Sequence, residues 1–428
     1  MEDLIPKNCQ MGGETMKKIG KKIGLLSSVV LAATAVLAAP SHAASSITLV
    51  AADYDGNGAT QAFWNDLAKT FQAANADIKV NVQIVNWNDI NQKVATLVST
   101  GQVPDIVNDN LYSGRAAAGL LYKVSDVLPA SVVDNIIPAF LNNSTYNGVP
   151  YAVPDLASAR ALFYNKDILT KAGIANPPTT WAELIAAEKA IKAKVPGVYP
   201  YAIPLGPEEA QAEFAIWAGG NGGQYYTNGK WTVNSTANIK AAAFLKSQAA
   251  SGYTEPHPEQ CDRTKCAQAL FAAGKAAFID GAIFFPAWLK ANGGSGINYG
   301  VGAFPHNEGK NAITLGVQDY FSFFNGNKNA TSIGKFMSYF FQPGNYANFL
   351  KATGGFIPAT KDAGAAAAKD PVLGPFIKLL PNAVFYPGTV ATWGTVQGAI
   401  QQKIGGIITG SPSGVLSDIQ ATALKAKA

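Results

Sequence analysis

Four short stretches of this chain combine carboxylate or amide side chains with aromatic rings. Such a combination suits a polyhydroxylated small molecule, because rings pack on the C–H faces of a sugar while carboxylates and amides hydrogen-bond its hydroxyls. The candidate binding residues are Asp53, Tyr54, Asp55 and Asn57; Trp87 with Asn88; Asn108, Asp109, Asn110 and Tyr112; and Gln318, Asp319 and Tyr320.

Side chains for nucleophilic catalysis are scarce. Beyond residue 43 the only histidines in the sequence are His257 and His306, which gives little support for catalysis by a histidine-activated nucleophile. A secreted glycoside hydrolase needs two positioned carboxylates, which could come by count from Asp53, Asp55, Asp109 and Asp319. A hydrolase therefore stays an alternative to a binding protein, and no residue pattern indicates a cofactor.

The first 43 residues have the three parts of a secretory signal peptide. Four lysines between positions 17 and 22 precede the apolar run IGLLSSVVLAATAVLAA, and the tripeptide SHA at 41–43 is a small-x-small cleavage signal. A membrane anchor is the alternative, because the run is close to spanning length. We predict cleavage after Ala43 and release into the periplasm, and the absence of a cysteine at the cleavage site argues against a lipid anchor.

Two cysteines remain after the predicted cleavage. Cys261 and Cys266 are spaced C-x4-C in EQCDRTKCAQ, and in an oxidising compartment a local disulfide is the first expectation. A metal site would need further ligands, and only His257 and Glu259 are close in sequence. We therefore predict a disulfide and no metal.

Length and composition indicate a large globular protein. The chain has 428 residues, of which 48% are hydrophobic and 14% charged, and this length favours two lobes or domains over one core. Removing residues 1–43 takes away five lysines and three acidic residues, which leaves 28 basic and 25 acidic residues. Because the sequence has no cluster of basic residues, we do not expect it to bind nucleic acid.

The elements around the first polar stretches predict a wound parallel sheet. SITLVAADYDG and GQVPDIVND each indicate a strand that enters a polar loop, and IKVNVQIV alternates apolar and polar residues as a strand does. Phe63, Leu67 and Phe71 mark one face of an intervening helix, and a second helix is predicted over 90–99. In such sheets ligands bind at the carboxyl ends of the strands, which are the polar stretches at 53–57, 87–88 and 108–112.

Later segments carry further helix signals. Thr180 and Glu183 in PPTTWAEL fit a capping box that begins a helix. SIGKFMSYFF places its apolar residues at helical spacing, and WGTVQGAIQQKIGGII aligns Val396, Ile400 and Ile404.

Several long segments, in order along the mature chain, resemble family 1 of the extracellular solute-binding proteins. They are VSTGQVPDI, YNGVPYAVPDLASARALFYNKDILTKAGIANPPTTWAEL, AGGNGGQYYTNGKWTVNS, LFAAGKAAFIDG, SIGKFMSYFFQPGNYANFLKATGGFIPAT and TWGTVQGAI. Members of this group, which includes maltose-binding protein, are periplasmic sugar receptors of ABC importers.

The resemblance implies an α/β fold of two lobes, the type II periplasmic binding protein fold, in which each lobe is a mainly parallel sheet flanked by helices. Three crossings form the hinge, and we place them near 153–157, 304–315 and 342–344. The implied division is 1–43 N-terminal extension and cleaved signal peptide, 44–154 and 304–342 N-terminal lobe, and 155–303 and 343–428 C-terminal lobe.

The resemblance also implies the function. The expectation is a substrate-binding component, acting as a monomer, that captures a mono- or oligosaccharide by hinge closure and delivers it to the transmembrane permease subunits of an ABC importer. It implies neither an enzymatic activity nor a cofactor.

Two aromatic residues gain a role from the resemblance. Trp393, in PGTVATWGTV, matches the stacking tryptophan of the family, with a core position as the alternative. Phe284 lies where the family often has the motif NGxW, whose tryptophan is a second stacking ring. This chain has Ile283 and Phe284 in place of that tryptophan, so a position in the core is the alternative for Phe284 too.

Other residues are implied as ligand contacts by their position. Arg160 follows the first crossing and is expected to reach the ligand or the hinge, and Asp155 either contacts the ligand or caps the hinge. Glu209 stands where the family has an acid, with a helix-start role as the alternative. Gly355 and Phe356 are expected to present backbone to the cleft, since glycine permits close approach.

A receptor for a non-sugar solute is a further alternative, because a fold does not determine its ligand. A polyamine is one candidate and ferric ion another, since Tyr225 and Tyr226 superficially match the tyrosine pair of ferric receptors. The same tyrosines also precede a hairpin turn predicted at Asn228 and Gly229, as in the sugar receptors.

Overall fold

The computed structural model describes residues 45–54, 56 and 58–427. The predicted signal peptide and its cleavage site lie outside the described residues, as do the candidate ligands Asp55 and Asn57.

The described part of the chain alternates strands and helices. The strands are β1 Ser45–Asp53, β2 Ile78–Asn86, β3 Ile106–Asp109, β4 Thr145–Tyr146, β5 Val149–Pro150, β6 Ala152–Asn165, β7 Tyr199–Ala202, β8 Tyr226–Thr227, β9 Lys230–Trp231, β10 Ala276–Ala282, β11 Tyr299–Gly302, β12 Thr314–Phe323, β13 Ile357–Pro358 and β14 Ala383–Phe385.

Helices flank these strands along most of the chain. They are α1 Ala59–Ala74, α2 Ile90–Ser99, α3 Ser113–Ala117, α4 Ala130–Val133, α5 Pro138–Asn142, α6 Lys166–Ala172, α7 Trp181–Lys194, α8 Ala210–Gly219, α9 Thr236–Ala250, α10 Ala269–Ala272, α11 Phe285–Ala291, α12 Ala330–Phe340, α13 Pro343–Ala352, α14 Lys361–Ala367, α15 Leu373–Ile377, α16 Trp393–Lys403, α17 Gly406–Thr409 and α18 Pro412–Lys425. One-turn 3-10 segments cover Val124–Asp126, Pro258–Gln260 and Leu380–Asn382, and Arg263–Gln268 is π-helical.

The first half of the sheet is the parallel arrangement that the sequence predicts. β1 pairs in parallel with both β2 and β3, which gives the spatial order β2-β1-β3. The helix faces also agree, since Leu67 and Phe71 of α1 are buried and Phe63 is half-buried against them. The three strands therefore end at one edge of the sheet, as the argument for a site at that edge requires.

Two long antiparallel strands form the centre of the sheet. β6 and β12 pair from Ala159 with Gly316 to Ala152 with Ser322, and β12 also pairs with β3. The pairing is irregular between Asp319 and Tyr320. β6 continues beyond this region to pair with β10 and β11, and β10 pairs in parallel with β7. We call β1, β2 and β3 the first sheet half, and β7, β10 and β11 the second sheet half.

Local signals read from the sequence are present where they were expected. Thr180 accepts a hydrogen bond from the Glu183 amide, and the Glu183 carboxylate accepts from the Thr180 amide, which completes the capping box of α7. Asn228 and Gly229 both have positive φ angles, 53° and 78°, and join β8 to β9 as a two-residue hairpin. These contacts depend on neighbours in sequence, which is why the sequence predicts them.

The division into two lobes at the stated boundaries stays a prediction. The first predicted crossing, 153–157, lies within β6, and β12 begins at the end of the second, 304–315. α13, which the division assigns to the C-terminal lobe, packs against α1 and α12 beside the first sheet half. Within the part of the chain that the structure describes, no helix is both long and apolar enough to cross a membrane.

Candidate functional site

A cavity of about 300 Å³ lies between the carboxyl-end loops of the first sheet half and residues carried by the second half. Eight of the predicted ligand-binding residues line it: Asp53, Tyr54, Trp87, Arg160, Glu209, Phe284, Asp319 and Phe356. Asn88, from the second polar stretch, lines it as well. The sheet edge that the strand order predicts is therefore one wall of a cavity.

Aromatic rings form the apolar surface of the cavity. Tyr54 follows β1 and Trp87 follows β2, and their rings stack with centroids 5.5 Å apart and planes inclined by 28°. Phe356 lies edge-on to Tyr54 at 5.5 Å, and Phe284 contacts Phe356 at the same distance. Because Trp87 is only half-buried, its ring is accessible to a ligand in the cavity.

A cluster of two arginines and two carboxylates lies at the charged surface, where Arg160, Arg263 and Glu209 line the cavity and Asp280 is buried next to them. Arg160 of β6 places Nη2 2.5 Å from Glu209 Oε2, and its Nη1 lies 3.8 Å from Asp280 Oδ2 on the adjacent strand β10. Arg263 forms ion pairs with the same two acids, at 3.2 Å to Asp280. Burial lowers the pKa of Arg263 to about 10, with the neighbouring Arg160 adding to the effect, so the Arg263 guanidinium is still charged at neutral pH.

The two surfaces meet at Glu209. Its other oxygen, Oε1, lies 3.4 Å from the Trp87 indole nitrogen, the hydrogen-bond donor. Glu209 directly precedes α8 and has a φ of 58°, a left-handed backbone that is uncommon for a residue other than glycine. This carboxylate therefore connects the first sheet half with both arginines.

Buried acids lie behind the aromatic surface. Asp319 lines the cavity from β12, and burial raises its pKa well above the ordinary value, with the charge of Asp155 adding to the rise and a hydrogen bond with Tyr54 opposing it. Burial also raises the pKa of Asp155, to about 8, against an opposing hydrogen bond from Asn108. Burial therefore favours the neutral form of Asp319, in which the carboxyl group can donate as well as accept a hydrogen bond.

The third polar stretch does not line this cavity, so its role as a ligand-binding loop stays a prediction. β3 lies between β1 and β12, and the residues at its end are engaged by neighbouring strands and helices. Asn108 donates to Asp155 Oδ2 at 2.8 Å, and Asp109 pairs with Arg115 at 2.5 Å. Asn110 accepts from Asn91 at 3.1 Å, and the Tyr112 hydroxyl donates to the carbonyl of Asn143 at 2.7 Å.

Four more predicted contacts hold the fold rather than line the cavity. Asp155 is fully buried in β6. Gln318 accepts from the Asn143 amide at 2.7 Å, and the Tyr320 hydroxyl donates to the Asn143 carbonyl at 3.2 Å. Gly355 has a φ of 88°, which glycine accommodates, and precedes the cavity-lining Phe356.

Trp393 does not line this cavity either, so its role as the stacking residue stays a prediction. Trp393 begins α16, is 2% exposed and belongs to the core beside the second sheet half. Its ring stacks on Tyr386 at 5.1 Å, Tyr225 at 5.9 Å and Trp231 at 6.4 Å. Three aromatic rings therefore surround Trp393 in the core.

Tyr225 and Tyr226 lie away from the cavity. Tyr225 is buried and its hydroxyl donates to the backbone carbonyl of Gln211 at 2.7 Å, while Tyr226 pairs with Trp231 in the β8–β9 hairpin. This arrangement does not present a tyrosine pair to an ion at the candidate site.

Sequence reasoning missed half of the charged surface. The missed lining residues include Ser158, Arg263, Thr264, Lys265, Gln268, Trp288 and Val317. Four of them lie in or directly after the turn between Cys261 and Cys266, which the structure joins by a disulfide. The available signal was the run CDRTKC, a concentration of charged residues inside a short cysteine loop.

Comparison with known proteins gives consistent results. The family model described as bacterial extracellular solute-binding protein matches residues 66–374. A Brucella abortus (strain 2308) protein, provisionally named a binding protein, is 29% identical over 405 residues, which cover 92% of this chain and 96% of that protein. The diacetylchitobiose binding protein of Streptomyces coelicolor is 28% identical over 214 residues, 49% of each chain.

A solved structure shares the fold. The GacH receptor of Streptomyces glaucescens, known unliganded and in complex with acarbose, superposes with a TM-score of 0.75 at 22% identity, covering 89% of this chain and 98% of that one. This likeness confirms the predicted α/β, two-lobe binding-protein fold.

Proposed function

This chain belongs to the family of bacterial extracellular solute-binding proteins, and on that premise we propose that it is the sugar-capturing component of an ABC importer. In this proposal the ligand is a neutral carbohydrate, held between the two lobes and released unchanged to transmembrane permease subunits. The protein acts as a monomer and catalyses no reaction.

The observation that carries the proposal is the pairing of two kinds of surface around one cavity. On one side are the rings of Tyr54 and Trp87, and on the other are the guanidinium groups of Arg160 and Arg263 with the carboxylate of Glu209. A sugar needs both, because its C–H faces favour aromatic rings and its hydroxyls favour charged donors and acceptors. The volume of about 300 Å³ is at the small end for ligand sites. It favours a mono- or disaccharide.

Charge favours a neutral ligand. The lining contains three cations, Arg160, Arg263 and Lys265, and four carboxylic acids, Asp53, Glu208, Glu209 and Asp319. Because burial raises the pKa of Asp319 and so favours its neutral form, basic groups and ionised acids in the lining are close in number. A ligand with a net charge would disturb this balance in a partly desolvated site, whereas hydroxyl groups use both signs.

The comparisons support this choice of ligand and compartment. Acarbose and diacetylchitobiose, the compounds named for the two relatives above, are carbohydrates. Membership in an extracellular family makes the chain an exported protein, and we propose that cleavage after Ala43 leaves it in the periplasm. Mass spectrometry of the exported protein tests the site: a mature chain that begins at Ala44 is expected, and an intact N-terminus would contradict it.

A thermal-shift screen followed by calorimetry tests the binding function. The mature protein is heated with mono- and disaccharides, sugar acids, polyamines and ferric ion. A bound ligand at one hundred times its dissociation constant stabilises the folded state by about 2.7 kcal/mol. We expect at least one neutral sugar to bind with a dissociation constant of about 1 μM or tighter, and to be recovered chemically unchanged.

Two controls make the result specific. Arg263→Gln removes a charge from the binding surface and should lower the affinity for the sugar that wild type binds. The matched control is Lys335→Gln, which changes an exposed residue paired with Asp77 and should leave that affinity unchanged. Binding only of a polyamine, a metal or a sugar acid would refute the neutral-carbohydrate assignment. Hydrolysis of the sugar would refute a purely binding role.

A further inference from the structure

The disulfide of this protein closes the turn that carries much of the charged surface. Arg263, Thr264 and Lys265 lie between Cys261 and Cys266, and Gln268 follows two residues later. All four residues line the cavity. A covalent link thus encloses three cavity-lining residues in a six-residue loop.

The turn is also attached to the segment that supplies the other acids of the site. The Gly206 amide donates to the Cys261 carbonyl at 3.0 Å, and the Glu208 amide donates to Asp262 Oδ1 at 3.3 Å. In return, Thr264 donates to the Glu208 carboxylate from its amide at 3.1 Å and from its hydroxyl at 2.6 Å. Movement of the turn would therefore displace Glu208 and its neighbour Glu209.

Two side chains of the turn are buried at the cavity with unused hydrogen-bonding capacity. Arg263 is 2% exposed and Gln268 is 1% exposed. Within the part of the chain that the structure describes, Arg263 Nε and both amide atoms of Gln268 have no hydrogen-bond partner. Buried polar groups are normally satisfied, so these atoms are positioned for a ligand that supplies the missing partners.

The backbone of the turn is unusual in a way that fits this role. Arg263–Gln268 is π-helical, a conformation that is rare in proteins and frequent at functional sites. The amides of Cys266 and Ala267 both donate to the Asp262 carbonyl, at 3.0 and 3.2 Å. The disulfide links Cys266, inside this segment, to Cys261, which precedes it.

We propose that the turn Cys261–Gln268 is a ligand-binding element, in which Arg263 and Gln268 donate to the ligand and the Cys261–Cys266 disulfide positions them. The proposal rests on the proposed binding function but not on the ligand being a sugar. The disulfide orders the turn before binding, so its loss transfers the cost of that ordering to the binding step. Affinity is therefore expected to depend on the oxidation state of these two cysteines.

The first experiment compares affinity with and without the disulfide. Calorimetry at 15 °C uses the ligand that scores highest in the screen above, with the oxidised protein, the protein reduced by tris(2-carboxyethyl)phosphine, and the Cys261→Ser/Cys266→Ser variant. Reduction and substitution should each weaken binding by about tenfold or more, and the variant should not respond to the reductant. Equal affinity in all samples would overturn the proposal.

The second experiment separates positioning from a general loss of stability. Gln268→Leu should weaken binding in the oxidised protein, but should have much less effect in the Cys261→Ser/Cys266→Ser background, because the side chain is no longer held in place there. Fully additive effects would contradict a positioning role. Circular dichroism at 15 °C shows whether each variant is folded.

A third measurement needs no ligand and so separates this proposal from the proposed function. Reduction should increase amide hydrogen exchange in residues 205–209 and 261–268 of the free protein, and leave α2 and α9 unchanged. Unaltered exchange in the turn would overturn the positioning role even if a sugar binds. Increased exchange with loss of affinity for a non-sugar ligand would support it while the carbohydrate assignment fails.

Discussion

Replacing Trp87 and Trp393 one at a time distinguishes a ring that binds a ligand from a ring that holds the core. Trp87 is half-buried at the cavity, where it stacks on Tyr54 and approaches Glu209. Trp393 is 2% exposed and is surrounded by three other aromatic rings. The two substitutions to alanine should therefore have opposite effects on binding and on stability.

The magnitudes follow from what each ring contacts. Trp87→Ala removes one face for the ligand, and a lost aromatic contact of about 1.5 kcal/mol corresponds to roughly tenfold weaker binding. Trp393→Ala leaves a cavity in a packed core, for which tryptophan-to-alanine changes cost about 3–5 kcal/mol of unfolding free energy. Trp87→Phe keeps a ring and drops the indole N–H, so it should bind better than Trp87→Ala.

The assay combines calorimetry at 15 °C with urea unfolding. Trp87→Ala is expected to unfold near the wild-type urea midpoint but to bind the ligand weakly. Trp393→Ala is expected to unfold at a much lower urea concentration. Where it is still folded, its affinity for the ligand should be within about threefold of the wild-type value. The reasoning is refuted if Trp393→Ala loses affinity at unchanged stability, or if Trp87→Ala binds as wild type does.

Two further predictions concern stability alone. Because the pKa of Asp155 is raised from 3.8 to about 8, the folded state holds a proton that the unfolded state releases, and stability should fall as pH rises between these values. Asp155→Asn should reduce that decline by at least ~1 kcal/mol between pH 5 and pH 8 in urea titrations, and an unchanged pH dependence would contradict the assignment. Thr180→Ala removes the acceptor for the Glu183 amide at the start of α7, and should lower the unfolding free energy by about 1 kcal/mol in the same assay. An equal loss in the exposed control Thr227→Ala would contradict the capping explanation.

Local structure in this protein could be predicted because its causes are close in sequence. The apolar spacing in α1, the range of α2 and the capping box of α7 all agree with the structure. The parallel order of β1, β2 and β3 also followed, since strand–helix–strand units close in only a few ways. Family membership was visible in long ordered segments, and the family match confirms it.

The composition of the cavity depended on tertiary structure. Strands β1, β2 and β3 all end at one sheet edge, but β3 lies next to β12. Residues at the end of β3 therefore form hydrogen bonds to the central strands, whereas Tyr54 and Trp87, which follow β1 and β2, line the cavity. The sequence order of three polar loops carries no information about which loop is covered by a neighbouring strand.

The sequence by itself determined the strands and helices of the first sheet half, several later helices and about half of the cavity lining, and its family resemblance indicated the fold class. Tertiary structure alone decided that Trp393 is surrounded by aromatic rings and that Arg160, Glu209, Arg263 and Asp280 meet in one charged cluster. These four residues come from two strands, a helix start and a disulfide-closed turn, and none is a sequence neighbour of another. Their contact arises because β10 pairs with β6 and the turn bonds to residues 206–209, and pairings of that range leave no local pattern in the sequence.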